Sequence, residues 1–568
     1  MGVSAAQFTS AGQTTQHYIP GVYSRRHTVA SGTGVSTGNL VIIGESMGGE
    51  PLTLLQLSDV ADAKEVLTSG ALLEGVCHAF NGSNTYVPQY VYAMRVNAGT
   101  QATRTLYSGE DAILTITSAD WGVHQNQIKM LYEDGTTGKK VTVSYKGEEE
   151  SVDDIEKESF SILYAGESEN DVTCSITADG LTLTSDVDGE SLTVDFEECE
   201  TLEELVTRIN DTGVYVATLI DTTEDAATAE LDYTEATLSS ESATVFYSNL
   251  QALIDALESI SFIGDVEFVG STRTLPDDDE AYVYFTGGTH GTTTVSDYSE
   301  ALELLQTEDI QIISTPSTSA DVHSLISDHC TTMSTVVKKR ERTFIVGMPS
   351  GTSIDDGVSE AKSLNNELGS VIITGANANN PLTGSAEDIS PAYLACKCAG
   401  VESAMTMSLP LTNKVLKVNS FSEKYKDSEL ETLIKGGVMP FGENESGELV
   451  CIRGITTYQA NSLIQNERSM ERSVLYMDRD LRAAYSARTG TNTAPSESDI
   501  KQTLLIKAAE WYQSDMITQD DSGANVWGVK VTFDGDKTYL TFSRYIRAPN
   551  NFTFITGTNL VYTSTTEV

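Results

Sequence analysis

The sequence predicts an α+β multidomain protein, and three observations lead to this fold class. The chain has 568 residues, enough for about three or four domains of roughly 100 to 200 residues each. Short runs rich in Val, Ile and Thr fill the middle of the chain, whereas buried strand-like runs alternate with helical stretches after it. Apolar residues make up 39% and charged residues 21%, a composition typical of proteins with packed cores.

The middle of the chain, residues 101–280, is predicted to be β-rich and strongly acidic. It holds 41 acidic and 8 basic residues, so it contributes −33 to the formal charge of −47. The predicted strands are 112–118, 127–132, 141–145, 172–176, 181–185 and 192–196. Helices are predicted at 202–209, where Thr201 and Glu204 have capping-box spacing, and at 248–260. Residues 275–280, Leu-Pro-Asp-Asp-Asp-Glu, are typical of a linker.

The next part of the chain predicts a parallel sheet. Its strand-like runs are 310–313, 344–347 and 371–374, and its helical stretches are 298–305, 320–337, 354–368 and 391–404. Apolar strands that alternate with helices indicate βαβ units. Ser390 and Pro391 are a favourable N-cap and first-turn pair for the last of these helices.

The C-terminal part combines two helices with β structure. A helix over 467–487 would place apolar residues on one side and arginines on the other, within an arc of ~80° at ~100° per residue. The apolar residues are Met470, Val474, Met477, Leu481 and Ala484, and the arginines are Arg468, Arg472, Arg479 and Arg482. A second helix is predicted over 499–516, a hairpin over 529–542, and extended runs at 552–555 and 559–563.

The net charge and its distribution limit the function. A formal charge of −47 excludes nucleic-acid binding as the first interpretation, because phosphate needs a basic surface. Residues 411–568 hold 17 basic and 20 acidic residues and are nearly neutral. This pattern indicates that the middle faces solvent while the end of the chain meets other proteins. An acidic surface that serves solubility alone is the equal alternative.

No stretch of the sequence predicts a membrane span or an export signal. Apolar runs such as 40–43 and 310–313 are far shorter than the ~20 residues of a spanning helix. Residues 1–30 are polar and lack the apolar centre of a signal peptide. Seven cysteines at scattered spacings predict no disulfide framework, so we expect folding in a reducing cytoplasm.

The chemical motifs do not add up to a catalytic or metal site. Residues 44–48, Gly-Glu-Ser-Met-Gly, match the G-x-S-x-G pattern, but Gly49, Glu50 and Pro51 follow where a nucleophile elbow needs a helix. A Gly-rich turn is therefore favoured over a Ser46 nucleophile. Cys396 and Cys398 would point to different sides of one helix, and the histidines make no zinc-binding pair. We predict no catalytic residue, cofactor or metal.

Both chain ends carry β-prone segments that have no obvious partner. Tyr18, Ile19, Val22 and Tyr23 flank a Pro-Gly pair near the start, and Leu560, Val561 and Tyr562 form a bare strand near the end. Unpaired strands can pair with another chain. Packing of each segment within its own domain is equally compatible with the sequence.

Several motifs, in their order along the chain, resemble tail sheath proteins of contractile-tailed bacteriophages and phage-tail-like particles. They include Pro20-Gly21-Val22-Tyr23 and residues 40–51, 72–74 and 91–96. Residues 285–291, Phe-Thr-Gly-Gly-Thr-His-Gly, are similar to a Gly-Gly-Thr-Asp-Gly turn of the family, with His290 in place of the usual Asp. The similarity continues at 393–401, at 453–457 and in the closing β segment, whereas residues 150–270 look like a variable insertion.

The resemblance implies a conserved α/β core, built from N-terminal and C-terminal parts together, with a β-rich inserted domain and extended terminal arms. The chain would then comprise an N-terminal arm (1–30), the first part of the core (31–100), an outward-facing acidic insertion (101–280), an α/β sheath domain (281–415) and a C-terminal inner domain (416–568). The residues named at the two ends would be the strands exchanged between subunits.

The resemblance also implies a structural protein and not an enzyme. Its subunits would form hexameric rings, stacked with a helical twist around a tail tube, and would contract to drive the tube through the host envelope. The expected partners are further copies, the tail tube, and the baseplate and tail terminator proteins, without nucleic acid or membrane insertion. The expected location is the virion tail, after assembly in the host cytoplasm. Candidates for tube contact, with a merely solvated face as the equal alternative, are Arg468, Arg472, Arg479, Arg482, Lys501 and Lys507.

Two other function classes stay open at this point. One is a hydrolase, either esterase-like through Ser46 or a tail-associated glycan hydrolase that uses paired carboxylates. The other is a secreted surface-layer or adhesin protein, which would also be acidic and β-rich. The hydrolase needs a catalytic constellation and the surface protein needs an export signal, and the sequence predicts neither.

Overall fold

A six-stranded sheet, the core sheet, lies at the centre of the molecule. The computed structural model describes residues 6–10, 13–17, 36–167, 171–220, 225–486, 490, 496–554 and 556. In spatial order, the strands of the core sheet are Gly369–Ile372, Thr343–Gly347, Ile312–Ser314, Leu40–Gly44, Val91–Arg95 and Leu54–Leu57. The first five are parallel and the last is antiparallel to its neighbour. The prediction of a parallel sheet is confirmed.

Both faces of the core sheet are buried, which explains its uninterrupted apolar strands. Along strand Leu40–Gly44, Leu40 and Ile42 join one apolar cluster while Val41 and Ile43 join the other, because successive side chains alternate. The helices on the first face are Val60–Leu67, Ala71–Phe80 and Pro391–Ala404, and those on the second are Val295–Leu304 and Ala320–Met333. Helices Ile354–Leu364 and Asp427–Lys435 pack together beside the edge strand.

Two of the helices on the first face touch backbone to backbone. A Cβ at Gly400 would lie 2.1 Å from the carbonyl oxygen of Ala79, so only glycine permits this approach.

Two small sheets extend the core beyond its edge strand. Their strands are Ala386–Ile389, Ala376–Asn379 and Ser420–Phe421 in one, and Phe441–Glu443 and Leu449–Cys451 in the other.

The acidic middle divides into two lobes, each with its own apolar cluster. The first lobe has strands Gln101–Ser108, Asp111–Trp121 and Ile263–Phe268 in one sheet, and Lys129–Asp134, Lys139–Tyr145, Glu148–Ile155 and Val283–Tyr284 in the other. Helix Asn249–Glu258 and the 3₁₀ turn Val123–Gln127 complete it.

In the core, by contrast, a short 3₁₀ turn, Leu305–Thr307, continues helix Val295–Leu304.

The second lobe is inserted within the first. Its strands are Glu158–Tyr164, Tyr215–Leu219 and Thr244–Tyr247 in one sheet, and Val172–Ile176, Gly180–Thr184, Leu192–Asp195 and Thr234–Leu238 in the other. Helix Leu202–Asn210 has the predicted capping box of Thr201 and Glu204, and Thr228–Glu230 form a 3₁₀ turn. The lobe's two ends meet, because the Ser248 amide donates to the Lys157 carbonyl oxygen at 2.9 Å.

The linker prediction for residues 275–280 is wrong. Arg104 pairs with Asp279 at 2.5 Å, and the Tyr132 amide donates to the same carboxylate at 2.8 Å. The Asp277 amide also donates to the carbonyl oxygen of Tyr107 at 2.8 Å. The run of acidic residues therefore packs along the first lobe, because a buried arginine from a distant strand supplies the compensating charge.

The C-terminal lobe packs on the core through a long helix. Its helices are Leu463–Asn466, Arg468–Ser486 and Glu497–Gln513, and its strands are Ile517–Thr518, Trp527–Asp534, Lys537–Ser543 and Tyr545–Ile546. The predicted hairpin is confirmed, with Asp534 opposite Lys537. The extended run predicted at 552–555 is not a strand in residues 552–554.

At the other end of the chain, Ala6–Ser10 pairs antiparallel with Gln13–His17, a pairing that the sequence analysis does not predict.

Candidate assembly surfaces

The residues proposed for exchange between subunits lie outside the described part of the chain. They are Tyr18, Ile19, Val22 and Tyr23 near the start, and Leu560, Val561 and Tyr562 near the end. The described candidates for assembly contacts lie in the core and in the C-terminal lobe.

The long helix Arg468–Ser486 is fixed to the core by a buried cluster of charges. Nε of Arg468 lies 2.6 Å from one carboxylate oxygen of Glu402, and Nε of Arg472 lies 2.9 Å from the other. Arg472 also donates from Nη2 to the carbonyl oxygen of Glu402 at 3.1 Å. Burial alone would raise the pKa of Glu402, but the two guanidinium groups outweigh it and hold that pKa below its ordinary value.

This cluster corrects the amphipathic prediction for the helix. Arg468 and Arg472 are buried together with Met470 and Ser473, so the first half of the helix has no solvated cationic face. The sequence could not reveal this arrangement, because the compensating Glu402 lies on helix Pro391–Ala404, far away along the chain. Arg468 and Arg472 are therefore buried within this chain and do not lie on its surface, where tube contact was expected.

The second half of the helix keeps cations nearer to solvent. Arg479 pairs with Asp309 at 3.1 Å, and Arg482 pairs with Glu341. These residues line a groove of about 870 Å³ between the core and the C-terminal lobe, together with Leu540 and Phe542 of the hairpin. The groove combines both charge signs with apolar side chains, a composition typical of protein contacts.

The two lysines on the next helix are held by ion pairs. Lys507 pairs with Asp480 at 3.0 Å and with Glu510 at 2.9 Å, and Trp511 donates to Asp480 at 2.8 Å. Lys501 pairs with Glu497 at 2.6 Å within its own helix. Lys507 is therefore a link between the two helices of the C-terminal lobe, whereas Lys501 stays on the surface.

The hairpin of the C-terminal lobe offers unpaired strand edges. Among the described residues, strands Trp527–Asp534 and Lys537–Ser543 pair only with each other. Phe533 and Tyr539 on these strands are about half exposed. A strand with free amide and carbonyl groups can accept a further strand from another chain.

Ser46 does not stand in a nucleophile elbow. It is buried, and its hydroxyl donates to the carbonyl oxygen of Gly48 at 2.8 Å. The turn after strand Leu40–Gly44 is also tied to strand Val91–Arg95, because Asn97 donates to the Ser46 carbonyl oxygen at 2.8 Å. The favoured interpretation of this motif, a Gly-rich turn, agrees with these contacts.

In the ranges that the structure describes, no three His, Cys, Asp or Glu side chains are grouped so that they could hold a metal ion. All seven cysteines are free and buried. Among the same residues, no helix is both long and apolar enough to cross a bilayer.

Sequence comparisons relate the chain to phage tail sheath proteins, although no family model matches it. It is 27% identical over 459 residues to the tail sheath protein of Staphylococcus phage Twort, a match that covers 72% of this chain and 74% of the relative. It is 25% identical over 491 residues to the putative tail sheath protein of Enterococcus phage phiEF24C, covering 79% and 82%.

Comparison of the fold with solved structures also finds a sheath tail protein. The crystal structure of the sheath tail protein from Desulfitobacterium hafniense matches with a TM-score of 0.53 at 13% identity, covering 93% of this chain and all of that one. The resemblance to tail sheath proteins is therefore confirmed, and the mixed helix and strand architecture matches that of a solved sheath tail protein.

Proposed function

We propose that this chain is the structural subunit of a contractile tail sheath, which polymerises as stacked hexameric rings around a tail tube. The observation that carries the proposal is the similarity to phage tail sheath proteins along most of the chain, together with the sheath-protein fold. The buried Ser46 hydroxyl supports a structural role over the esterase alternative.

The assembly requires that each subunit present two different surfaces. A head-to-tail contact whose rotation does not close generates an open helix, which is the geometry of stacked rings with a twist. The outer surface of the core and the C-terminal lobe would provide such distinct surfaces at different places on the subunit. Contraction would be a passage from a metastable extended lattice to a contracted one, with a kinetic barrier that holds the extended state.

Strand exchange would connect the subunits during this passage. The free edges of hairpin Trp527–Asp534 and Lys537–Ser543 support it, because they can accept strands from neighbours. The donors would be the terminal segments around Tyr18, Ile19, Val22 and Tyr23 and around Leu560, Val561 and Tyr562. Main-chain hydrogen bonds in such added strands can persist while the subunits rotate, since the segments act as tethers.

Contact with the tail tube is assigned to the exposed cations of the C-terminal lobe. Of the six candidates, the Arg482 and Lys501 side chains are 37% and 38% exposed, more than Arg479 and Lys507. Exposed ion pairs contribute only about 0 to 1 kcal/mol each, so a contact made of them can break during contraction.

The acidic middle would face outward, away from the tube. Its two lobes carry most of the charge excess of the chain, and such a surface favours solvent over packed neighbours. The core and the C-terminal lobe would then lie inward, among the other copies and the tube. Baseplate and tail terminator proteins would meet the ends of the polymer in the virion tail, after assembly in the host cytoplasm.

Co-expression with the tail-tube protein from the same source tests this function. Electron microscopy is expected to show tubes coated by a striated sheath. Arg482→Glu and Lys501→Glu together should reduce co-sedimentation with tubes at least tenfold, whereas Lys435→Glu, on an exposed helix of the core, should not. Naked tubes beside soluble wild-type chain would contradict the function.

A further inference from the structure

A loop at one end of the core sheet presents two adjacent valines to solvent. It connects helix Ala320–Met333 to strand Thr343–Gly347, and Val336 and Val337 in it are 88% and 85% exposed. Lys338, Lys339 and Arg340 follow directly, and they are the only run of three Lys or Arg residues in the sequence. We call residues 336–340 the knob.

Two backbone hydrogen bonds brace the loop that carries the knob. The Lys339 amide donates to the Thr335 carbonyl oxygen, and the Arg340 amide to the Met333 carbonyl oxygen, both at 2.9 Å. Valine is stiff about χ1, so these side chains lose little conformational freedom when they are buried in a contact. A pre-formed apolar tip with a basic base is thus suited to docking.

A hollow of about 240 Å³, with a partly apolar lining and a charged rim, lies at another place on the core. Apolar side chains from the two small sheets form part of its lining: Phe421, Phe441, Leu449 and Ile452. Exposed charged residues surround it, namely Glu423, Asp427, Glu443 and Lys424. We call this hollow the socket.

The knob and the socket fit each other in size and charge. A cavity of about 150 Å³ holds a benzene molecule, so the socket has room for two valine side chains. Three carboxylates against one ammonium leave its rim acidic, while the base of the knob is basic. The rim ammonium of Lys424 is already paired with Glu443 at 2.9 Å, which reduces its repulsion of an incoming cation.

The two features lie at opposite ends of the core strands. The knob leads into the first residue of strand Thr343–Gly347. The socket lies past the carboxyl end of the neighbouring parallel strand Gly369–Ile372, because Val438 bridges Val371 in parallel and Phe441 follows three residues later. The knob of one chain therefore cannot fill its own socket, and any such contact joins two copies.

We propose that the knob of one copy docks into the socket of a second copy, as one of the head-to-tail contacts of the polymer. This contact rests on the proposed function, since it needs a polymer of this chain. It uses two different surfaces of the subunit, so it propagates in one direction and does not close on itself as a symmetric pair would.

The first test replaces the apolar tip. Val336→Asp with Val337→Asp should reduce polymer recovered by sedimentation at least tenfold, because two carboxylates would enter an acidic socket. The matched control is Val87→Asp, at a valine that is 52% exposed elsewhere on the core. If circular dichroism shows that both variants are folded, equal amounts of sedimented polymer from the tip variant and from the control would overturn the contact.

The second test exchanges the charges and traps the contact. Lys338→Glu with Lys339→Glu should block assembly, and Glu423→Lys with Glu443→Lys in the same chain should restore it.

Val337→Cys with Leu449→Cys should give covalent ladders with a short bismaleimide in polymer but not in monomer, since the seven native cysteines are buried. Failure of both rescue and crosslinking would overturn the contact.

The outcomes separate this contact from the proposed function. Wild-type chains that stay monomeric contradict the function and the contact together. Wild-type polymer with unaffected tip variants contradicts the contact alone. Tip variants that polymerise normally but no longer coat tail tubes would assign the knob to the tube protein, and would overturn its docking to a second copy.

Discussion

Glu402 binds both Arg468 and Arg472 in the interior of the protein. The carboxylate lies 2.6 Å from one guanidinium nitrogen and 2.9 Å from the other, on side chains that are almost fully buried. Glu402 belongs to a helix on the core sheet and the arginines belong to the long helix of the C-terminal lobe. This cluster sets how the lobe sits on the core.

Glu402→Gln should strongly destabilise the protein. The substitution keeps the shape of the side chain but leaves two buried guanidinium groups without a counter-charge, a change that costs about 3 to 5 kcal/mol. Urea unfolding, followed by tryptophan fluorescence, to which the buried Trp511 contributes, measures the loss. Glu431→Gln breaks the exposed pair with Lys435 and should change stability by less than about 1 kcal/mol. Equal effects of the two substitutions would contradict the role of the cluster.

Glu471 should make stability fall as pH rises. Burial, and then the nearby carboxylates of Glu367 and Asp478, raise the pKa of Glu471 to about 7. Between its ordinary pKa near 4.5 and about 7, the folded chain binds more protons than the unfolded chain, so this group lowers the free energy of unfolding across that window.

Glu471→Gln removes this dependence. At pH 8 the free energy of unfolding of the variant should exceed that of the wild type by at most about 3 kcal/mol. This difference should shrink towards pH 4.5. Urea unfolding at a series of pH values measures it. The opposite sign, with a variant less stable at pH 8, would show that ionised Glu471 has a stabilising partner.

Removal of the second inserted lobe should leave assembly intact. The lobe starts and ends side by side, with Lys157 and Ser248 joined by a backbone hydrogen bond of 2.9 Å, so a short Gly-Ser linker can replace residues 158–247. If the acidic lobes face outward, the shortened chain forms tubes of smaller diameter in electron micrographs. A folded but monomeric product would place the lobe at a contact between subunits.

Deletion of residues 1–25 should abolish tube formation. The deleted segment contains Ile19, Val22 and Tyr23, which we propose as strands donated to a neighbour. Sedimentation and electron microscopy of the folded, truncated chain measure the effect. Normal tubes would show that the segment is not a tether.

The core sheet could be predicted because its strands carry their signal locally. Residues 40–43 and 344–347 are apolar without alternation, as burial on both faces requires, and helical stretches separate such runs. Six strands of the acidic middle also carry a local signal as short β-branched runs, but its division into two lobes is not predicted by the sequence.

The electrostatic arrangement could not be predicted in the same way. Arg468 and Arg472 have the spacing of a solvated stripe, and only the fold brings Glu402 next to them. The acidic run at 277–280 has the composition of a linker, but Arg104 from a distant strand pairs with Asp279. In both cases, burial depends on a partner far away in sequence, about which periodicity carries no information.

Electron microscopy of the purified full-length chain tests the central claim most directly. If the chain is a sheath subunit, it forms long striated tubes on its own, with six subunits per ring in averaged images. Persistent monomers with both termini intact would contradict the claim.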